Sequence, residues 1–389
     1  MKKNVSSLIL VLFLCLFSNI MGETRQENFK HITKSQTMQP MIIKQLMLSN
    51  FNYYIHRMKS DINGDWYRRG YYKQNTAWTL AAWDHATLQL GIVKAYQVLK
   101  DKRMLQSLEE WASTTQWSIT KCDEFTANNH LAGEVYLLLS LVNPPKANIS
   151  NIQNELDKVM AKPWQGNDSW SWCDAIFMAP PAYALMSKVS GNKKYLTFMH
   201  DKFLEAYNDF YDKEDHLYFR DKNYVYNPNN PLTKAKNGKK IFWGRGNGWV
   251  IGGIARIMEY MPKTDQHYPF YKQLFNEMAD KFLRTQQPSG LWSPSLLDPE
   301  DFSEKETTGS GLICYALAWG INNGVLEAKT YQPVVEKSWM ALCNCVMKNG
   351  AIGYVQPIGA DPQHVDPLFT NDFGIGIFLL AGTEMLKLR

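Results

Sequence analysis

Apolar residues recur at three- and four-residue spacing along most of this chain. That spacing lines one face of a 3.6-residue period and predicts helices over 86–99, 131–141, 175–189, 250–261, 270–283, 311–321 and 334–346. Short clusters of Gly, Pro, Asn and Asp separate these segments, and strict alternation is scarce, so the expected class is all-α. Internal similarity sharpens the picture. Val98-Leu99-Lys100-Asp101-Lys102-Arg103-Met104-Leu105 parallels Val189-Ser190-Gly191-Asn192-Lys193-Lys194-Tyr195-Leu196, each reading as helix, polar turn, helix. A short aromatic segment also recurs after a polar turn, at 214–219, 288–292 and 349–354. Repeated hairpins with such linkers predict a helical solenoid or a ring of hairpins, and closure into a ring leaves no apolar end uncovered.

The amino-terminal stretch follows a different pattern. Lys2 and Lys3 precede a compact apolar run from Leu8 to Phe17 and then Gly22. The run is shorter than the roughly 20 residues a membrane span needs, so residues 1–22 read as a secretory signal peptide. That reading implies export, with the periplasm as the expected compartment and no membrane association after cleavage. No Pro/Gly/Ser-rich linker divides residues 23–389, which are expected to form one domain.

Composition narrows the partners. A formal net charge of +5 without any Lys/Arg cluster argues against nucleic acid. The cysteines beyond residue 22 (Cys122, Cys173, Cys314, Cys343 and Cys345) are odd in number and too sparse for a disulfide scaffold. CxxC, HxxxH and HExxH spacings do not occur, so neither a metal site nor a cofactor is expected. The 13 Trp and 20 Tyr, many of them in polar connecting segments, favour a ligand with flat apolar faces such as a sugar.

Candidate chemistry concentrates in three places. Asp174, in Trp172-Cys173-Asp174-Ala175-Ile176-Phe177-Met178-Ala179-Pro180-Pro181, has apolar neighbours that would desolvate its carboxyl and favour the protonated form of a general acid. The same position, directly before an apolar helix, also suits a helix cap. Trp164, Trp170 and Trp172 supply an aromatic neighbourhood beyond what a cap needs. The second place, Trp243-Gly244-Arg245-Gly246-Asn247-Gly248-Trp249, reads as a glycine loop ahead of a helix at Val250. In it Arg245 can fork onto a carboxylate while Trp243 and Trp249 stack on sugar faces, or the glycines can simply turn the chain between helices. The third, Asn128-Asn129-His130, opens another helix and is either a sugar-binding cluster or a cap; 306–311 carries the same ambiguity. Asp84 and His85 sit before a further apolar run, where a lone His is more often core.

These motifs, together with Ala318-Trp319-Gly320-Ile321-Asn322-Asn323-Gly324, Phe373-Gly374-Ile375-Gly376 and Leu380-Ala381-Gly382-Thr383-Glu384, resemble the unsaturated rhamnogalacturonyl and glucuronyl hydrolases of glycoside hydrolase family 105 and the related family 88. The resemblance spans nearly all of the chain after residue 22. It implies an (α/α)6 barrel, six helical hairpins closed in a ring with the pocket at one end. It also implies removal of a 4,5-unsaturated uronic acid from the non-reducing end of lyase-generated oligosaccharides by hydration of the vinyl ether. Asp174 falls on the acid/base position of that family, while Trp172, Trp243, Arg245 and Trp249 fall in its substrate pocket with Arg245 facing the uronate. Where many relatives carry an aspartate pair, this chain has Asn128-Asn129, which can hydrogen-bond hydroxyls but holds no charge. Two other functions fit the residues: a sugar-binding or catalytically weakened barrel, and a glycosidase acting on saturated uronosides through another carboxylate such as Glu124, Asp168 or Glu306.

Overall fold

The computed structural model describes residues 29–58, 80–119, 126–143, 149–163 and 170–388. The segment read as a signal peptide, together with Glu124, Trp164 and Asp168, lies outside them. Twelve helices of eleven or more residues are present among the described residues: α1 (Pro40–Tyr53), α2 (Trp83–Leu99), α3 (Lys102–Thr114), α4 (Ala127–Val142), α5 (Ser150–Ala161), α6 (Pro180–Ser190), α7 (Lys194–Phe210), α8 (Gly244–Tyr260), α9 (Tyr268–Thr285), α10 (Thr308–Asn322), α11 (Ala328–Cys343) and α12 (Asp372–Lys387).

Burial sorts these helices into two layers. Every residue of α8 except Glu259 is buried, whereas α5 buries only Ile152, Leu156 and Val159. A helix apolar all round belongs inside, and one with a single apolar stripe belongs on an outer layer. The even-numbered helices form the inner ring, with α2 on α4, α4 on α6, α6 on α8, α8 on α10, α10 on α12, and α12 back on α2. Outer helices pack on the inner neighbours they follow in α2–α3, α6–α7, α8–α9 and α10–α11, and α1 covers α12. This is an (α/α)6 barrel.

The recurring aromatic segments are the return strokes of three hairpins. After α7 the chain makes a two-residue antiparallel ladder, Tyr211–Asp212 with Leu217–Tyr218. After α9 the Gln287 amide bonds the Leu291 carbonyl at 2.9 Å, and after α11 Met347 bonds Ala351 at 2.8 Å. Each of these turns redirects the chain from an outer helix toward one end of the barrel.

The ring closes where α2 meets α12 through bare backbone. A Cβ built at Gly376 would lie 2.3 Å from the Thr87 carbonyl oxygen, and one built at Gly91 would lie 2.3 Å from that of Gly376. Contacts this short leave no room for a side chain at the seam. Gly376→Ala is therefore expected to destabilise the protein by about 1–3 kcal/mol, the usual range for overpacking, even though alanine is the better helix former. Chemical denaturation with an unchanged midpoint would show that the seam opens freely.

Candidate functional site

All six inner helices start at the same end of the barrel, with Trp83, Ala127, Pro180, Gly244, Thr308 and Asp372 as their first residues. Their unpaired amides and dipoles make that end electropositive and receptive to an anion. A cavity of about 280 Å³ opens there, lined by Trp83, Asn128, Trp172, Asp174, Met178, Arg220, Trp243, Arg245, Trp249 and the segment Ile358-Gly359-Ala360.

Asp174 is held by a tight turn ahead of α6. The Cys173 amide bonds the Arg220 carbonyl at 2.7 Å and the Phe177 amide bonds the Asp174 carbonyl at 2.9 Å. Asp174 itself is in the right-handed helical region, and its side chain makes no capping bond. The capping role is thereby replaced by a carboxyl left facing the cavity. Burial pushes this carboxyl above the ordinary 3.8, and the positive charges of Arg220 and Arg245 pull it partly back. Its near neighbours are the Arg220 Nε at 3.6 Å and the Cys173 thiol, whose Sγ lies 3.7 Å from Oδ2.

The segment from Gly244 to Trp249 is the opening of α8, not a loop. Its glycines serve contact. At Gly248 a Cβ would come 3.0 Å from the Gly309 carbonyl oxygen on α10, so the two inner helices touch backbone to backbone. Arg245 is buried among the aromatic rings of Trp243 and Phe373, 4.7 and 5.3 Å from their centroids. Its guanidinium donates to the carbonyls of Gln356 at 2.6 Å and Pro357 at 2.9 Å, and burial lowers its pKa to about 10. Arg245 therefore braces the wall that carries Ile358 to Ala360 and adds positive potential to the cavity. Trp243 joins the same wall by donating its indole N–H to Gln356 Oε1 at 3.1 Å. Trp249 lines the cavity and packs edge-on against Phe177, at 4.4 Å, and Trp83, at 6.2 Å.

The Asn128-Asn129-His130 cluster is divided by the helix it opens. Asn128 lines the cavity. Asn129 and His130 are buried in the first turns of α4 and are absent from the lining; the His130 ring meets Tyr183 edge-on at 5.6 Å. Trp172 lines the cavity, but Trp170 is a core residue against Tyr183 and Phe198. Glu306 caps α10, accepting from the amides of Thr308 at 2.6 Å and Gly309 at 2.7 Å. His85 bonds Asp372 at 2.6 Å and belongs to the helix packing, while burial and the Asp372 charge push Asp84 up to about 6.

Arg220 and Trp83 are site residues that the sequence did not single out. Arg220 follows directly on the aromatic segment 214–219. One of its terminal nitrogens is paired with Asp221 at 2.5 Å, whereas its Nε makes no hydrogen bond. Trp83 immediately precedes the Asp84-His85 pair that did draw notice.

The comparisons with known proteins agree with this architecture. The model of Glycosyl Hydrolase Family 88 matches residues 52–389. An unsaturated 3S-rhamnoglycuronyl hydrolase of Formosa agariphila is 37% identical over 325 residues, covering 79% of this chain and 85% of that protein. One of the same name from Alteromonas sp. is 31% identical over 324 residues, 78% of this chain and 77% of the other. A solved glycosyl hydrolase family 88 structure from Bacteroides vulgatus superposes with a TM-score of 0.77 at 30% identity, covering 89% of this chain and 99% of that one. Matched across most of its length in sequence and in fold, the chain belongs to glycosyl hydrolase family 88 and is a glycoside hydrolase.

Proposed function

We propose that the cavity takes the 4,5-unsaturated uronyl end of an oligosaccharide and that Asp174 is its acid and base. The observation that carries this reading is the carboxyl count: Asp174 is the only carboxyl among the described residues lining the cavity. Hydrolysis at an anomeric carbon ordinarily uses two carboxyl groups on opposite sides of the bond. Hydration of a vinyl ether needs one group that gives a proton and takes one back. In this reading the Asp174 carboxyl protonates C4 and leaves an oxocarbenium ion spanning C5 and the ring oxygen. The carboxylate then accepts a proton from the water that adds at C5. The hemiketal so formed opens, and the remaining sugar leaves from C1.

The surroundings suit each step. Burial raises the Asp174 carboxyl above its ordinary range and so favours the protonated form that the donor step requires. Six inner-helix N-termini and the Arg220 and Arg245 charges favour an anionic ligand, and Trp172, Trp243 and Trp249 present ring surface to a sugar. The names of the two relatives suggest the substrate, an unsaturated uronyl unit attached to 3S-rhamnose. The uronate carboxylate is assigned to Arg220, which lines the cavity beside Asp174, instead of Arg245, whose forked edge is given to backbone carbonyls.

The primary test follows the loss of ultraviolet absorbance of the conjugated uronate. Asp174→Asn should lower kcat by at least about 100-fold, the scale of general acid catalysis, while ligand binding persists. Retention of more than about a tenth of the activity would move the acid elsewhere.

The same substitution should make the protein more stable at alkaline pH. The native pKa of Asp174 is raised, so the carboxyl's contribution is fully present below 3.8 and is lost as pH rises through the folded value. Asparagine removes that loss. The stability difference between Asp174→Asn and the wild type should therefore grow as pH rises above 3.8 and level off once the native carboxyl is ionised; a pH-independent difference would contradict the desolvation argument.

The pH profile of kcat/KM provides a separate check. Arg220→Gln removes a charge that favours the Asp174 carboxylate, and Asn128→Asp adds one that opposes it. Both should move the alkaline limb to higher pH, whereas Asn129→Asp, off the cavity wall, should move it much less. Equal shifts from Asn128→Asp and Asn129→Asp would misplace the division of that cluster.

A further inference from the structure

Beside the catalytic cavity lies a larger one, of about 810 Å³, for which the chemistry above has no use. Two chain segments wall both. Arg220 faces the catalytic cavity and Lys222 to Val225 face the second; Ile358 to Ala360 face the first, and Asp361 and Pro362 the second. The segments are tied to each other, since the Tyr224 hydroxyl donates to the Asp361 carboxylate at 3.4 Å. Gln356 fixes the partition by donating to the Asp361 carbonyl at 2.8 Å while accepting from the Trp243 indole on the catalytic side.

The opposite wall is also built. Asn230 caps the short 3₁₀ turn Pro231–Thr233 by accepting from the Leu232 amide at 3.0 Å, and the Thr233 hydroxyl ties that turn to the Asn227 carbonyl at 3.0 Å. This rigid turn presents Leu232 to solvent at 80% exposure. Two lining lysines are neutralised, Lys222 by Asp209 at 3.3 Å and Lys236 by Asp301 at 2.5 Å. Lys234 is different: it is half-buried in the same wall, and its ammonium has neither an ion pair nor a hydrogen bond among the described residues. A groove that combines exposed apolar side chains, a tyrosine, asparagines, an unspent ammonium and three aspartates (Asp298, Asp301 and Asp361) that accept from the Asn237 amide, Lys236 and Tyr224 suits a sugar, whose C–H face is apolar and whose edge is polar. Its volume falls in the usual range for ligand sites, about 300–1,000 Å³.

We propose that this groove is a second carbohydrate site, holding the third and later sugars of an oligosaccharide whose unsaturated end occupies the catalytic cavity. Lys234 meets an anionic substituent there, a carboxylate or a sulfate ester. The inference rests on the catalytic reading above and extends it: the enzyme is built for chains longer than a disaccharide and acts upstream of their full depolymerisation. Binding energy gathered in the groove is available to the reaction at the far end.

The test compares an unsaturated disaccharide with the tetrasaccharide that begins with the same two sugars. Wild type should have the higher kcat/KM on the tetrasaccharide. Lys234→Gln and Leu232→Ser should lower that value, by about tenfold for the lysine, the scale of one lost charge-assisted hydrogen bond, and leave the disaccharide unchanged. With a tetrasaccharide desulfated beyond its second sugar, disappearance of the Lys234→Gln effect identifies a sulfate ester and its persistence identifies a carboxylate. Equal turnover of both lengths by wild type, or an equal loss on both substrates in the variants, overturns the second site while the catalytic reading stands. Failure of wild type to consume either substrate overturns both.

Discussion

One buried guanidinium sets the position of Asp174, the proposed acid. Arg256 of α8 is ion-paired with Glu134 of α4, on the far side of α6, and donates to the Phe177 carbonyl at 2.6 Å. Its guanidinium also lies 3.7 Å from the centroid of the Phe177 ring. Phe177 in turn bonds the Asp174 carbonyl and supports Trp249, so one side chain fixes both Asp174 and an aromatic wall of the cavity. Removing one partner of such a pair typically costs about 3–5 kcal/mol, because it strands a buried charge. Two further bonds extend the network: Tyr260 donates to Glu134 at 2.9 Å, and Lys94 donates to Glu259 at 2.6 Å.

The barrel converts that anchor into chemistry by placing opposed demands on one carboxyl. Desolvation raises the pKa of Asp174, while two arginines and the helix N-termini oppose it. A carboxyl that holds its proton more tightly than a solvated aspartate is better suited to the proposed giving and retaking of a proton. The arginines divide the work. Arg245 holds the wall from Gln356 to Gly359 through carbonyls, and Arg220 stands at the boundary between the catalytic cavity and the larger groove. The partition at Gln356 and Asp361 is thus part of the active site as much as its edge.

Much of this architecture was legible in the chain. Helices on the inner ring carry dense apolar patterns, so α4, α8 and α10 could be recognised, and the likeness between 98–105 and 189–196 marks two real hairpin turns, between α2 and α3 and between α6 and α7. The outer helices α9 and α11 were legible too, whereas α5, with three buried residues, carries too thin a stripe to stand out. The glycines from 244 to 248 suggested a loop because local propensity disfavours them in helices, but close contact with neighbouring backbone outweighs that preference. Asp174 could be found from its apolar neighbours in sequence. Arg220 could not, because its place beside Asp174 arises from a hairpin return and the bond between the Cys173 amide and the Arg220 carbonyl. Ile358 to Ala360 have no periodicity at all, and bonds from Arg245 and Trp243, distant in sequence, bring them to the cavity.

The central claim is that burial raises the Asp174 carboxyl above its ordinary range despite the two arginines beside it. Infrared difference titration of the wild type against Asp174→Asn isolates the carboxyl stretch of this one residue. The account predicts a midpoint above the ordinary 3.8 in the wild type, moving higher still in Arg220→Gln. A midpoint at or below 3.8 would contradict it, because the arginines would then outweigh desolvation and Asp174 would enter the reaction without a proton to give.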